Sequence, residues 1–136
     1  MNNNKKKVLI TGSSGGIGSA LSHRFLEEGF KLVLTSSTEE KKETLKKKYG
    51  DDHYYYKVDI SNSTELQSIM DIISNDHKDI DVIVNNAGST EDNLIFRMKP
   101  DQWSKIIKTN LDSNYIIIKT LLPNMLSNKY GKIIGI

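Results

Sequence analysis

The sequence has no cysteine and only three histidines, at positions 23, 53 and 77. Without cysteine the chain can form neither a disulfide framework nor a thiolate metal site, and the histidines lack the spacing of metal ligands. We therefore predict that the chain holds no metal. The absence of cysteine also agrees with a reducing, cytoplasmic location.

The chain also lacks a charge excess and a long apolar run. It has 19 basic and 17 acidic side chains, and the two signs are interspersed. This balance argues against nucleic acid as a partner. No apolar run approaches the roughly 18 residues of a membrane span, and MNNNKKK at the N-terminus lacks the apolar region of a signal peptide. The expectation is a soluble, untargeted, one-domain protein that binds neither nucleic acid nor membrane.

Strand-forming and helix-forming segments alternate along the chain. Runs rich in β-branched or aromatic residues predict strands at 8–10, 31–35, 53–60, 81–84 and 132–136. Helical apolar spacing follows the first and third runs, and a charged helix with few apolar residues is predicted at 39–49, ended by Gly50. After the fourth run, one long helix is predicted from Asp101 to about Asn128, with a short helix near 93–98 before it. The alternation predicts an α/β fold with a Rossmann-type doubly wound parallel sheet, truncated at about the fifth strand.

A glycine-rich segment, TGSSGGIG, runs from Thr11 to Gly18 directly after the first strand. Glycines lack the Cβ atoms that would keep a phosphate from the backbone, and the free amides of a first helical turn attract an anion. Taken alone, the segment is equally consistent with a nucleotide site and with a plain turn between a strand and a helix.

Three further motifs join the glycine-rich segment: Asp59 after the third strand, NNAG from Asn85 to Gly88 after the fourth, and Asn110 in TNL. Together the four resemble the short-chain dehydrogenase/reductase family. The glycine pattern also fits the extended, sugar-epimerase branch, but NNAG with TNL decides against it. The stretch from NNAG through DNLIFRM resembles bacterial and plastid 3-oxoacyl-(acyl carrier protein) reductases, which reduce a β-ketoacyl thioester with NADPH.

The resemblance implies a role for each motif. The pyrophosphate and the adjoining ribose would be held by Gly12, Ser13, Ser14, Gly16, Ile17 and Gly18. Asp59 would accept a hydrogen bond from the adenine amino group, with the Ile60 backbone alongside; the alternative is that Asp59 caps a helix.

The remaining motifs would act at the nicotinamide end. Asn86, Ala87 and Gly88 would line the nicotinamide ribose, while Asn85 would tie strands together. Asn110 would interrupt the long helix and hold a water of a proton relay.

Cofactor choice follows from the end of the second strand. NAD enzymes typically carry an acidic residue there, which bonds the ribose 2′-hydroxyl. This chain instead has the hydroxyl residues Thr35, Ser36, Ser37 and Thr38, and Lys41 or Lys42 could reach a 2′-phosphate. The pattern favours NADP over NAD, although Gly15 stands where many NADP-dependent relatives have a basic residue in the glycine turn.

The family's catalytic Ser, Tyr and Lys lie beyond the fifth strand, where this sequence has ended. Tyr115 and Lys119 spell YxxxK, but they precede that strand and lie on the far side of the helix from Asn110. We interpret them as structural or interface residues. The hypothesis is the cofactor-binding portion of an NADPH-dependent 3-oxoacyl carrier-protein reductase; the alternatives are a non-catalytic dinucleotide-binding module and a reductase of another carbonyl.

Two expectations concern partners. The second half of the long helix is too apolar for one buried face, which predicts a homo-oligomer if the chain is completed. Lys129 and Lys132 near its end could dock an acidic carrier protein or could simply be solvated.

Overall fold

The computed structural model describes residues 5–136. The first four residues of the MNNNKKK segment therefore lie outside the described residues. Strands and helices alternate in the order β1 (Lys7–Ile10), α1 (Gly16–Glu27), β2 (Lys31–Ser36), α2 (Glu39–Tyr49), β3 (Tyr54–Lys57), α3 (Ser63–Asp76), β4 (Ile80–Asn85), α4 (Pro100–Ile107), α5 (Ser113–Ser127) and β5 (Lys132–Gly135).

The five strands form one parallel sheet in the order β3-β2-β1-β4-β5. The chain places β2 and β3 on one side of β1, and β4 and β5 on the other. The direction of winding therefore reverses at β1, and such a reversal opens a crevice at the carboxyl ends of the strands. The predicted α/β fold with a doubly wound parallel sheet is confirmed.

Helices cover both faces of the sheet. Alternate β1 residues point to opposite faces: Leu9 packs in a cluster with residues of α3 and α5, whereas Val8 and Ile10 pack in a second cluster with residues of α1 and α2. This is why the inner strands are almost continuously apolar. By contrast, β5 is exposed along its length, with Ile133 at 43% exposure.

Several boundaries differ from the sequence-based prediction. The third strand stops at Lys57, because the chain turns at Asp59, whose carbonyl accepts from the Asn62 amide. The short helix near 93–98 is a single 3₁₀ turn, Ile95–Arg97. The long helix begins at Pro100 and is interrupted by a π-turn, Lys108–Asp112, which separates α4 from α5.

Within residues 5–136 no helix has the length and apolar character needed to cross a membrane. No group of three or more His, Asp or Glu side chains in the same residues could hold a metal ion.

Candidate functional site

A cleft of about 510 Å³ lies at the carboxyl end of the sheet. Its walls come from the turn after β1, the end of β2, the loops after β3 and β4, and the region around the π-turn. The lining residues are Gly12 and 15–18, 35–37, 58–61, 86–89, Lys105 and Thr109. The four motifs that the sequence separates by up to about a hundred residues therefore meet near one cavity.

The turn after β1 is packed too closely for side chains at two glycines. Gly12 has φ +65°, and a Cβ there would lie 2.9 Å from the Ala87 Cα. A Cβ at Gly18 would overlap the carbonyl oxygen of Gly12 and lie 2.8 Å from Asn86 Nδ2. Gly16, by contrast, has no atom within 4 Å of the position of its Cβ. The turn therefore leaves open space at Gly16, where α1 begins.

The start of α1 is suited to an anion. Thr38 caps α2 and Asn62 caps α3 through their side chains, and both helices carry glutamate in the first turn. Among the described residues, α1 has no side-chain cap and no acidic residue in its first turn. Its N-terminal amides and the positive end of its dipole thus face the cleft without a competing side chain, which fits a pyrophosphate.

Two side chains fix the glycine turn against the loop after β4. Thr11 Oγ1 accepts from the Asn86 and Ala87 amides, at 3.1 and 3.0 Å. Asn86 Nδ2 donates to the carbonyls of Thr11 and Gly12, at 3.0 and 3.2 Å. Sequence reasoning assigned Asn86 to the ribose and missed this scaffolding bond. The sequence feature that could have indicated these hydrogen bonds is the presence of both Thr11, before the first glycine, and Asn86 in NNAG.

The two serines of the turn stand apart from the cavity. Ser13 is fully buried, and its hydroxyl donates to the Ile10 carbonyl at 2.7 Å. Its amide donates to the Thr35 carbonyl, so the residue joins the ends of β1 and β2. Ser14 is exposed and does not line the cleft. Six residues were predicted to hold the pyrophosphate and the adjoining ribose. Four of them line the cavity: Gly12, Gly16, Ile17 and Gly18.

Asp59 and Ile60 lie in the cleft lining, as does Ser61. Asp59 Oδ1 accepts from the Ser61 hydroxyl at 2.6 Å and from its amide at 2.9 Å. These two hydrogen bonds hold the pKa of Asp59 below its usual value. The helix cap is Asn62, whose Oδ1 accepts from the amides of Thr64 and Glu65. Asp59 is thus an ionised acceptor in the turn before the helix.

Three hydroxyl-bearing residues at the end of β2 line the cleft: Thr35, Ser36 and Ser37. Beside them, Lys41 Nζ donates to Ser37 Oγ at 3.4 Å. Lys42 instead forms an ion pair with Glu39. Of the two lysines that the sequence offered for a 2′-phosphate, Lys41 therefore lies against the cavity wall.

Asn110 lies in the π-turn and holds the loop after β4. Its Oδ1 accepts from the Ser89 amide and its Nδ2 donates to the Ser89 carbonyl, both at 2.8 Å. A Cβ at Gly88 would approach Asn110 Oδ1 to 2.9 Å. The long helix is interrupted at Asn110, as the family resemblance implied, and the Asn110 side chain holds the loop after β4 in place. The water of a proton relay stays a prediction.

An ion pair missed by sequence reasoning lies at the edge of the cleft. Lys105 Nζ, on α4, lies 2.7 Å from Glu91 Oε1 in the loop after β4. The bond raises the pKa of Lys105 and lowers that of Glu91. No local pattern could have paired a loop carboxylate with a helix lysine fourteen residues later.

Residues 6–136 match the family model for short chain dehydrogenase, in agreement with these motifs. The chain belongs to the short-chain dehydrogenase family. Similar relatives include the 3-oxoacyl-[acyl-carrier-protein] reductase FabG of Haemophilus influenzae, 36% identical over 131 residues, and that of Escherichia coli K12, 32% identical over 136 residues. These alignments cover 96% and 100% of this chain but 54% and 56% of the relatives. This short-chain dehydrogenase chain thus spans about half the length of the relatives it matches.

Solved structures of short-chain dehydrogenases have the same fold. A metagenomic short-chain oxidoreductase in complex with NADP superposes with a TM-score of 0.84 at 29% identity, covering 96% of this chain and 60% of that one. A short-chain dehydrogenase from Streptomyces avermitilis superposes with a TM-score of 0.90 at 21% identity, covering 99% of this chain and 50% of that one.

Proposed function

We propose that the chain is the cofactor-binding portion of an NADPH-dependent 3-oxoacyl-(acyl carrier protein) reductase. The observation that carries the proposal is the uncapped N-terminus of α1, which opens on a cleft beside closely packed glycines. Backbone amides and a helix dipole at such a place bind a pyrophosphate. The likeness to the FabG reductases supports the substrate class, a β-ketoacyl thioester.

In this proposal the bound cofactor supplies the hydride, and the residues of the chain position it. The first turn of α1 binds the pyrophosphate, Asp59 accepts from the adenine amino group, and Asn86, Ala87 and Gly88 border the nicotinamide ribose. Asn110 keeps that border in place through its two bonds to Ser89. In the family a Tyr donates the proton, a Lys lowers the pKa of that Tyr and a Ser orients the carbonyl, and these lie beyond the 136 residues, so turnover is proposed for the whole reductase.

NADPH is proposed over NADH because of the end of β2. Among the described residues of this strand end, hydroxyls line the cavity and no carboxylate does. A carboxylate there would repel a 2′-phosphate, whereas Lys41, next to Ser37, can pair with it.

Calorimetric titration of the purified chain with NADPH and NADH tests this proposal. We expect NADPH to bind more tightly, and Lys41→Ala to weaken NADPH by about five- to twentyfold while NADH is unaffected. Lys47→Ala on the same helix is the matched control and should change neither affinity. Equal or tighter binding of NADH would refute the choice of NADP, and binding of neither would refute the dinucleotide site.

A second candidate is a dinucleotide-binding module that catalyses no reaction, since the motifs that meet at the cleft are all ones proposed here to bind or position the cofactor. A reductase of another carbonyl is a further alternative. NADPH oxidation with acetoacetyl-CoA and with ketones that carry no thioester, assayed on a chain extended to the full length of the relatives, separates them. Turnover of acetoacetyl-CoA supports the 3-oxoacyl reductase, turnover of the other ketones alone supports the other reductase, and binding without any turnover supports the module.

We also propose a cytoplasmic homo-oligomer, assembled through the apolar side of α5 when the chain is completed. Ile117, Leu121 and Met125 of α5 are buried, whereas Tyr115 and Leu126 are 63% and 68% exposed. Such exposed apolar side chains favour association. Sedimentation of the extended chain should show a dimer or larger species, and a monomer would contradict this proposal.

A further inference from the structure

Glu65 lies in the first turn of α3 and bonds to two residues that precede this helix. α3 begins at Ser63 after its cap, Asn62, so Glu65 is the third residue of the helix. A glutamate at this position ordinarily accepts from the backbone amide of the cap residue. Here the Asn62 amide donates to the Asp59 carbonyl instead. Glu65 Oε1 reaches past the cap and accepts from the Asp59 amide at 3.2 Å.

The same carboxylate oxygen also binds the last residue of β3. Lys57 Nζ lies 2.7 Å from Glu65 Oε1. This bond, together with that from the Asp59 amide, lowers the pKa of Glu65, and it raises the pKa of Lys57. Lys57 in turn pairs with Ser36 of β2 in the sheet. Glu65 is therefore an ionised acceptor that joins α3 to the end of β3 and to the turn after it.

The helix that carries Glu65 is firmly packed. Three of its apolar side chains are fully buried in the cluster that it forms with the sheet and α5: Leu66, Met70 and Ile73. Asp59, by contrast, is exposed at the cleft. Its side-chain bonds with Ser61 stay within the turn and fix the local shape of the turn. The bond to Glu65 ties the Asp59 backbone to the packed part of the molecule.

We propose that Glu65 is a positioning residue of the dinucleotide site, which holds Asp59 where it distinguishes a base that carries an amino group. This inference rests on the proposed function, in which Asp59 accepts from the adenine amino group. A hydrogen bond weakens steeply when its donor and acceptor move out of line, so the carboxylate recognises the amino group only while its turn is held in place. Glu65 does not line the cleft and acts through Asp59.

The test compares two ligands by calorimetry: NADPH and its hypoxanthine analogue deamino-NADPH, in which an oxygen replaces the adenine amino group. We expect the parent chain to bind NADPH about five- to twentyfold more tightly, since the analogue offers the carboxylate no donor. Glu65→Ala should reduce this ratio to about twofold or less, chiefly by weakening NADPH. The ratio is taken within one variant, so a change in the fraction of folded chain cancels.

Three further variants separate the bond from the general stability of the helix. Glu65→Gln keeps an oxygen that can accept from the Asp59 amide and should retain the ratio of the parent chain. Glu65→Asp, which is one methylene shorter, should lose it. Thr64→Ala is the matched control, because it alters the neighbouring position of the same helical turn and leaves Glu65 in place; it should retain the ratio.

The possible outcomes distinguish this inference from the proposed function. If the parent chain prefers NADPH and Glu65→Ala keeps that preference, the inference is overturned and the proposed function stands. A loss of the preference in Thr64→Ala would overturn the inference as well, since the effect would then belong to the whole helical turn. So would equal binding of the two ligands by the parent chain, because Asp59 would then not meet the amino group. Failure of the parent chain to bind either ligand would contradict the proposed function, and the inference with it.

Discussion

Gly16 and Gly18 are two residues apart in one motif, yet the space around them differs. A Cβ at Gly18 would overlap the Gly12 carbonyl oxygen, whereas one at Gly16 would meet no atom within 4 Å. Neither φ angle lies in the left-handed region, so the difference is one of packing and not of backbone conformation. The glycine at 18 is required for the turn to close, and the glycine at 16 borders open space, which we propose holds the pyrophosphate.

We predict opposite effects on stability when each is replaced by alanine. Gly18→Ala should lower the free energy of unfolding by about 1–3 kcal/mol, because the Gly12 backbone and the Asn86 side chain must both move. Gly16→Ala should leave stability unchanged or raise it by up to about 1 kcal/mol, since alanine favours the helix. Urea denaturation of the two variants gives the comparison.

Binding separates the two variants further. The added methyl group of Gly16→Ala enters the space proposed for the pyrophosphate, so NADPH affinity should fall although the fold is intact. A Gly16→Ala variant that binds NADPH as tightly as the parent chain would contradict the placement of the pyrophosphate at the start of α1.

At the scale of the element, the π-turn between α4 and α5 links the long helix to the loop after β4. Asn110 makes two hydrogen bonds to the backbone of Ser89, each 2.8 Å long. We predict that Asn110→Ala lowers the free energy of unfolding by about 1–3 kcal/mol, because both Ser89 backbone groups lose their partner. Amide exchange at Ser89 should accelerate.

Asn128→Ala is the matched control, since its Nδ2 also donates to a backbone carbonyl, that of Lys78, at 2.7 Å. That bond is exposed and belongs to the opposite end of α5, so its loss should not affect exchange at Ser89. Equal exchange at Ser89 in the two variants would show that Asn110 does not hold the loop.

The elements themselves were largely readable from the sequence, because strand and helix periodicity is local. The strand at 31–35 and the helix at 39–49, ended by Gly50, lie within one residue of their positions in the structure. The end of β3 was predicted three residues too late, because Val58 and Ile60 favour a strand while the Asp59 turn, closed by Ser61, ends it. Hydrogen bonds from side chains to the backbone of a turn compete with strand propensity, so strand propensity alone does not show where a strand ends.

The site was predictable as motifs but not as contacts. Glycine spacing, Asp59 and NNAG each follow a strand, and the carboxyl ends of parallel strands share one edge, so the sequence indicated that these segments meet. Their roles in binding stay predictions. The bond from Asn86 to the glycine turn and the Lys105–Glu91 pair join distant segments, so no local spacing indicates them. Ser13 is fully buried and its amide donates to the Thr35 carbonyl, a contact between two strand ends that local spacing does not indicate either.

At the scale of the whole molecule, we expect two histidines to make the stability of the fold depend on pH. His77 is 3% exposed; its Nδ1 lies 3.5 Å from Lys7 Nζ and its Nε2 lies 2.8 Å from the Tyr56 hydroxyl. An ammonium group only donates, so Nδ1 must accept, and we infer a neutral ring that carries its proton on Nε2. Burial and the charge of Lys7 lower the pKa of His77.

His53 behaves in the same way. Its Nδ1 accepts from the Leu32 amide at 3.1 Å, and burial, with the charge of Lys31, lowers its pKa. A histidine whose pKa is lower in the folded than in the unfolded state binds protons preferentially when unfolded. The stability that depends on the neutral rings is therefore complete above the unfolded pKa of about 6.5 and is lost as the pH falls below it.

We predict that the urea midpoint of the chain is lower at pH 5.5 than at pH 7.5. Protonation of His77 would place a second positive charge beside Lys7 and remove the acceptor at Nδ1. His77→Gln, which cannot titrate, should narrow the difference between the two midpoints, and His53→Gln should narrow it too. His23 is exposed on α1 beside Glu27, so His23→Gln should leave the difference as it is in the parent chain. If the urea midpoint depended on pH equally in His77→Gln and His23→Gln, other groups would cause the loss of stability in acid. His77 would then not be held neutral by its surroundings.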